Sequence, residues 1–69
     1  MTPTRLRECL TALHWSQRGL ARILCADEGT VRRWGRGDRD IPDRVAQWLD
    51  GLARAHEAAP LPDGWVVRA

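Results

Sequence analysis

The chain has 69 residues, 43% of them hydrophobic and 29% charged, with a formal net charge of +2 and a sequence pI near 9.0. That length fits one domain with a small core and marginal monomer stability, and the composition excludes a disordered chain. Neither a membrane span nor a secretory leader is expected, because no apolar run approaches the roughly 20 residues of a span and no leader-type apolar segment occurs. The expected setting is therefore soluble and cytoplasmic.

Thr2-Pro3 opens the first element well, since Thr caps a helix and Pro fits its first position. Leu6, Leu10 and Leu13 continue at helical spacing, which predicts a helix from Pro3 to Leu13. His14-Trp15-Ser16 interrupts the pattern, and Ser16 is placed to cap the next helix. Leu20, Ala21, Ile23 and Leu24 predict that short second helix over Gln17–Leu24. After Cys25-Ala26, Asp27 is a further cap residue whose carboxylate can accept from free amides. Val31 and Trp34 then mark a third helix, from Glu28 to Trp34 or Gly35.

Gly35 to Asp40 reads as a polar loop in which two glycines act as stops. Pro42 starts a fourth helix carrying Val45, Trp48, Leu49, Leu52 and Ala53 and reaching His56. Gly51 weakens that helix by about 1 kcal/mol relative to Ala and is a place for a bend. The expected core is Leu6, Leu10, Leu20, Ala21, Leu24, Val31, Trp34, Val45, Trp48, Leu49 and Leu52, with Trp15 covering it from the loop. Pro60, Pro62 and Gly64 end regular helix, and Trp65-Val66-Val67 forms a short β-prone run. The organisation is a helical domain over 1–57 and a Pro-rich tail over 58–69.

All eleven basic residues are Arg, which suits phosphate forks and guanine edges, although a GC-rich coding sequence gives the same bias. Cys9 and Cys25 match no zinc spacing and are expected to be two small buried hydrophobes in a reducing compartment. Neither His has a nucleophile-carboxylate setting, and no phosphate loop or metal pattern occurs. An enzyme, a cofactor and a small-molecule ligand are therefore not expected.

The second and third helices are too short to be stable alone. Joined by a three-residue turn, they predict a helix-turn-helix packed on the first and fourth helices. Residues 16–37, SQRGLARILCADEGTVRRWGRG, resemble the Cro/C1-type (XRE-like) helix-turn-helix regulators of phages and bacteria. Ser16, Gln17, Leu20, Ala21, Leu24, Thr30, Val31, Trp34 and Gly37 match in register and without gaps. The likeness extends more loosely over about four fifths of the chain, and the Pro-rich ending with Gly64-Trp65 resembles short phage-type regulators. The resemblance implies an all-α, four- to five-helix, lambda-repressor-like domain with a short extended C-terminal tail. Three departures stand out. Cys25 replaces the turn glycine of the family and must take a backbone conformation that Gly takes cheaply. Gly35 replaces an acidic residue, so an ion pair back to the first helix is missing. Gly19 and Gly29 lie inside helices, each costing up to about 1 kcal/mol.

By that resemblance the third helix enters the major groove, with Asp27, Glu28, Gly29, Arg32 and Arg33 facing bases. Arg forks onto guanine and Glu accepts from cytosine N4, which implies a G·C-containing half-site. Gly29 either admits close approach or reads nothing, and Glu28 has the alternative role of helping to cap the helix. Phosphate contacts fall to Ser16, Gln17, Arg18, Thr30, Arg36 and Arg39, with Arg44 in reach. Ser16 serves equally as a plain cap, and Arg39 equally pairs with Asp38, Asp40 or Asp43.

One such module makes few base contacts, so a homodimer on an inverted-repeat operator in double-stranded DNA is expected. The tail, with Leu61, Trp65, Val66 and Val67, is the candidate dimerisation element, or else it folds back to cap its own core. The resulting expectation is a transcriptional repressor or autorepressor, as among lysogeny regulators and anti-CRISPR-associated autorepressors. The alternative is a protein–protein interaction module (antitoxin, adaptor or inhibitor) without specific DNA readout. Arg32, Arg33 and Arg36 favour the first, while Asp27, Glu28 and Asp38 dilute it.

Overall fold

The computed structural model describes residues 1–59, and these form four α-helices and no strand. They are α1 (Pro3–Leu13), α2 (Gln17–Leu24), α3 (Glu28–Arg36) and α4 (Asp43–Ala58). The all-α class and the helix-turn-helix arrangement expected from the sequence are present, with α2 and α3 packed together and α1 packed on both α4 and α3. Residues 60–69, including Leu61, Trp65, Val66 and Val67, lie outside the described residues.

Side-chain caps start the first two helices. Thr2 Oγ1 accepts from the Arg5 amide at 3.1 Å and Ser16 Oγ from the Gly19 amide at 2.9 Å. Asp27 departs from expectation. It stands at the N-cap of α3, but its carboxylate makes no capping bond. Its backbone carbonyl instead receives the amides of Thr30 at 3.0 Å and Val31 at 3.4 Å. Pro42 likewise sits just before α4 rather than at its first position.

The first three helices end in the same way. His14, Cys25 and Gly37 adopt left-handed φ values of 59°, 53° and 81°. In each case the next residue reaches back along the helix it ends: Trp15 to Leu10, Ala26 to Ala21 and Asp38 to Arg33, all at 2.9 Å. These are Schellman closures, which satisfy carbonyls otherwise orphaned at a helix end. Cys25 thus adopts the conformation its place in the turn requires, and Gly37 is the stop of α3. Gly35 is not a stop: α3 runs through it to Arg36, because the glycine able to turn left lies two residues later.

The core consists of Leu6, Cys9, Leu10, Leu20, Ala21, Val31, Trp34, Ile41, Leu49 and Ala53, with Trp15, Leu24 and Val45 half-buried against it. Trp48 and Leu52 do not join the core as expected: Trp48 is 37% exposed and Leu52 is half-buried. The face of α4 turned inward carries Leu49 and Ala53, one step round from Trp48. The Trp48 ring lies against Trp15 instead, with centroids 5.9 Å apart and planes tilted by 39°. Cys9 is buried as expected, but Cys25, at the left-handed turn that ends α2, is exposed. Gly51 leaves α4 continuous.

An ion-pair cluster ties α1 to α4. Arg5 bonds Asp50 Oδ1 through Nη2 at 2.7 Å and Nε at 3.1 Å, and Arg54 takes Asp50 Oδ2 at 2.8 Å. These donors hold the Asp50 carboxyl below its ordinary range. Burial pushes the Cys9 thiol up.

Candidate nucleic-acid interface

The exposed face of α3 is set by its short apolar stripe. Val31 and Trp34 are turned into the core, so Arg32, Arg33 and Arg36 stand in solvent. Among the described residues these three, together with Arg39 and Arg44, form no ion pair. The pairing of Arg39 with Asp38, Asp40 or Asp43 is therefore not formed. Three Arg and one Glu on α3 leave a surplus of two, and elsewhere eight Arg are matched by eight carboxylates. The flanking and exposed Asp27 and Asp38 bring residues 27–38 to a formal charge of zero, so the basic character of this face rests on the three arginines free of ion pairs among the described residues.

Arg32 and Arg33 lean back toward the start of α3, as long helical side chains do. A Cβ built on Gly29 would lie 4.0 Å from Arg32 Nη2 and 4.0 Å from Arg33 Nη1. Gly29 therefore leaves an open shelf between two guanidinium groups. Asp27 is exposed beside them, while Thr30 is half-buried with its amide spent on the Asp27 carbonyl.

Glu28 does not stand alone in this field. Arg18, at the start of α2, places Nε 3.4 Å from Glu28 Oε2, with the two side chains 67% and 38% exposed. Two residues expected to have separate roles are thus one ion pair across the turn. Ten positions separate them, and spacing alone gives no signal of it.

Gln17 and Ser16 lie at the N-terminus of α2, where free amides favour an anion. Ser16 spends its hydroxyl on the cap. The Gln17 amide packs against Gly35 of α3: a Cβ there would sit 2.5 Å from Gln17 Nε2 and 3.6 Å from its Cδ. Gly35 is buried, and its carbonyl accepts from Arg7 Nη1 at 2.9 Å. The tie from α1 to the end of α3, expected to be lost with the acidic residue, is made through backbone instead.

No group of three or more His, Cys, Asp or Glu among the described residues could hold a metal ion. No helix among them is long and apolar enough to cross a membrane. Comparison of the chain with family models, with curated proteins and with solved structures finds no match.

Proposed function

We propose that this chain is a sequence-specific double-stranded DNA-binding protein of the Cro/C1-type regulators, acting as a homodimer on an inverted-repeat operator, as a transcriptional repressor or autorepressor. The observation that carries this reading is the exposed face of α3. It is the second helix of a helix-turn-helix, and it presents three exposed arginines that form no ion pair among the described residues. Such a helix fits a major groove, where Arg32 and Arg33 fork onto guanine O6 and N7. Gly29 between them lets the helix backbone approach the base edges. Gln17, Arg36 and Arg39 take phosphates on either side, with Ser16, Arg18 and Thr30 at the same rim. The tail with Leu61, Trp65, Val66 and Val67 joins two copies.

The test is selection of the purified protein on random duplex DNA at near-physiological salt. Enrichment of an inverted repeat with half-sites about one helical turn apart supports both readout and dimer. Weak, salt-sensitive binding with no enriched motif refutes the reading. It moves the function to the second reading, a protein-interaction module, which the exposed apolar side chains of Ile23 and Trp48, at 49% and 37%, favour.

A further inference from the structure

We propose that His14 and His56 form a two-imidazole site for a divalent transition-metal ion such as Zn²⁺ or Ni²⁺, joining the end of α1 to the last turn of α4. The inference does not depend on the DNA-binding reading. These are the two histidines of the chain, forty-two positions apart. The fold nevertheless brings their ring centroids to 5.9 Å, with the planes at 80° and edge set to face. Sequence spacing carries no metal pattern here, because the two rings meet only through the packing of α1 on α4.

The separation suits a shared ion. A metal ion lies about 2.0–2.1 Å from a ligating ring nitrogen and so roughly 3.2 Å from the ring centre; two rings on one tetrahedral ion then have centres about 5 Å apart, and two on opposite sides of it about 6.4 Å. The observed 5.9 Å falls inside that span. Both side chains are exposed, and neither imidazole enters a hydrogen bond or ion pair among the described residues. Their nitrogens are open to solvent-borne ions, and rotation of the rings brings them to a common point without moving backbone.

The backbone under both rings is already fixed. His14 stands at the left-handed closure of α1, its own amide bonded to Thr11 at 3.2 Å and the Trp15 amide to Leu10 at 2.9 Å. The His56 carbonyl accepts from the Ala59 amide at 3.2 Å, and the Arg5–Asp50–Arg54 cluster holds α4 on α1. Ligands mounted on fixed elements lose little freedom when an ion binds. Each also stands at a helix C-terminus, where the dipole favours a cation. Neutral imidazole suits Zn²⁺, Cu²⁺ and Ni²⁺, whereas Mg²⁺ and Ca²⁺ take oxygen. Among the described residues no third His, Cys, Asp or Glu completes the set, so water fills the other positions. The result is an open, reversible site that stabilises the fold, since the ion binds two ligands together only in the folded chain.

The experiment titrates the metal-free full chain with zinc chloride at constant salt. It follows the melting temperature and, by NMR, the imidazole signals of both histidines. Four proteins are compared: wild type, His14→Asn, His56→Gln and Cys25→Ser. Asn is chosen at 14 because it tolerates the left-handed backbone there, and Cys25→Ser removes the exposed thiol as a competing ligand. In wild type the melting temperature is expected to rise with zinc, to saturate at one ion per chain and to return on adding EDTA. Both imidazole signals move together over the same range. Cys25→Ser behaves like wild type, and magnesium chloride has no effect. Either histidine variant weakens zinc binding by about tenfold or more, because one ligand alone loses the gain of binding both at once.

Zinc that leaves both imidazole signals unmoved reduces the pair to an edge-to-face packing contact and overturns the inference. So does a signal from one histidine moving alone, zinc affinity unchanged in His56→Gln, or loss of the effect in Cys25→Ser. One ion per two chains overturns it as well, since the site is then built between copies. If His14→Asn unfolds, His56→Gln carries the test by itself, because His56 lies on an exposed last turn. None of these outcomes bears on duplex selection, so this site and the DNA-binding reading stand or fall separately.

Discussion

Replacing Glu28 by Gln removes one negative charge and no volume, and it tests what the ion pair with Arg18 does. At 3.4 Å, with the side chains 67% and 38% exposed, that pair lies in high dielectric, where such pairs contribute about 0.2–1 kcal/mol. Glu28 is also the acidic residue in the first turn of α3, a position that stabilises a helix by about 0.3–1 kcal/mol. The variant should therefore unfold more easily by about 0.5–2 kcal/mol, and a loss of about 1 kcal/mol lowers the melting temperature of so small a domain by about 4–8 °C. Binding moves the other way. Arg18, released from the carboxylate, becomes one more cation for phosphate, so the slope of log K against log salt steepens by about 0.9. Between 1 M and 0.15 M salt that slope is worth about a fivefold gain on random duplex. The assay pairs thermal unfolding with anisotropy titrations from about 0.1 to 0.4 M salt. Weaker binding with an unchanged slope refutes the reasoning. A loss confined to a single C·G position in a selected site does so more specifically, since it makes Glu28 a base reader.

The same geometry sets other outcomes. Ser16→Ala should destabilise by about 1 kcal/mol in a urea titration, because it deletes the cap on Gly19. Asp27→Ala should cost less than about 0.5 kcal/mol, because the Asp27 carboxylate caps nothing; equal losses would contradict the described caps. Gly51→Ala meets nothing within 4 Å on an exposed helix face and should raise stability by up to about 1 kcal/mol in the same titration. The carboxyl of Asp50 titrates below its ordinary value of 3.8, chiefly because Arg5 bonds to it. A depressed folded-state value gives stability that is present above 3.8 and lost as pH falls through the folded value. Melting temperature tracked downward in pH should therefore drop more for wild type than for Asp50→Asn, and parallel curves would exclude the Arg5–Asp50 tie as the source.

Much of the fold is legible in local signals, and the exceptions have identifiable causes. The first two helices fall within the predicted limits because Thr2-Pro3 and Ser16 are strong starts, and both hydroxyls do cap. Spacing predicts an end of α3 at Trp34 or Gly35, but a glycine stops a helix only where the chain turns left, and that happens at Gly37. Apolar spacing along α4 offers Trp48 and Leu49 equally, and only packing on α1 chooses Leu49 over its larger neighbour. Ile41 is hidden from such reading because it stands in a stretch that looks like polar loop, yet it is 7% exposed and pins that loop to the core. In the candidate site, the exposure of Arg32, Arg33 and Arg36 is a consequence of the period of Val31 and Trp34. The partners of Glu28 and Gln17 lie across the turn in another helix, and one-dimensional spacing carries no trace of them.

The three α3 arginines, exposed and free of ion pairs among the described residues, give the molecule a face more cationic than a net charge of +2 spread evenly would. A protein of net charge +2 and pI near 9.0 is expected to be retained only weakly on a cation exchanger at neutral pH if its charges are spread evenly. Here a polyanionic matrix can meet the unpaired α3 arginines directly, and ionic screening over about 8 Å at physiological salt limits how far distant carboxylates offset them. Retention should therefore track that one face, and adding two arginines on α4 should not replace two removed from α3. The same lopsidedness exerts a torque: an approaching polyanion turns the protein before touching it, so first contacts are already made with α3 foremost.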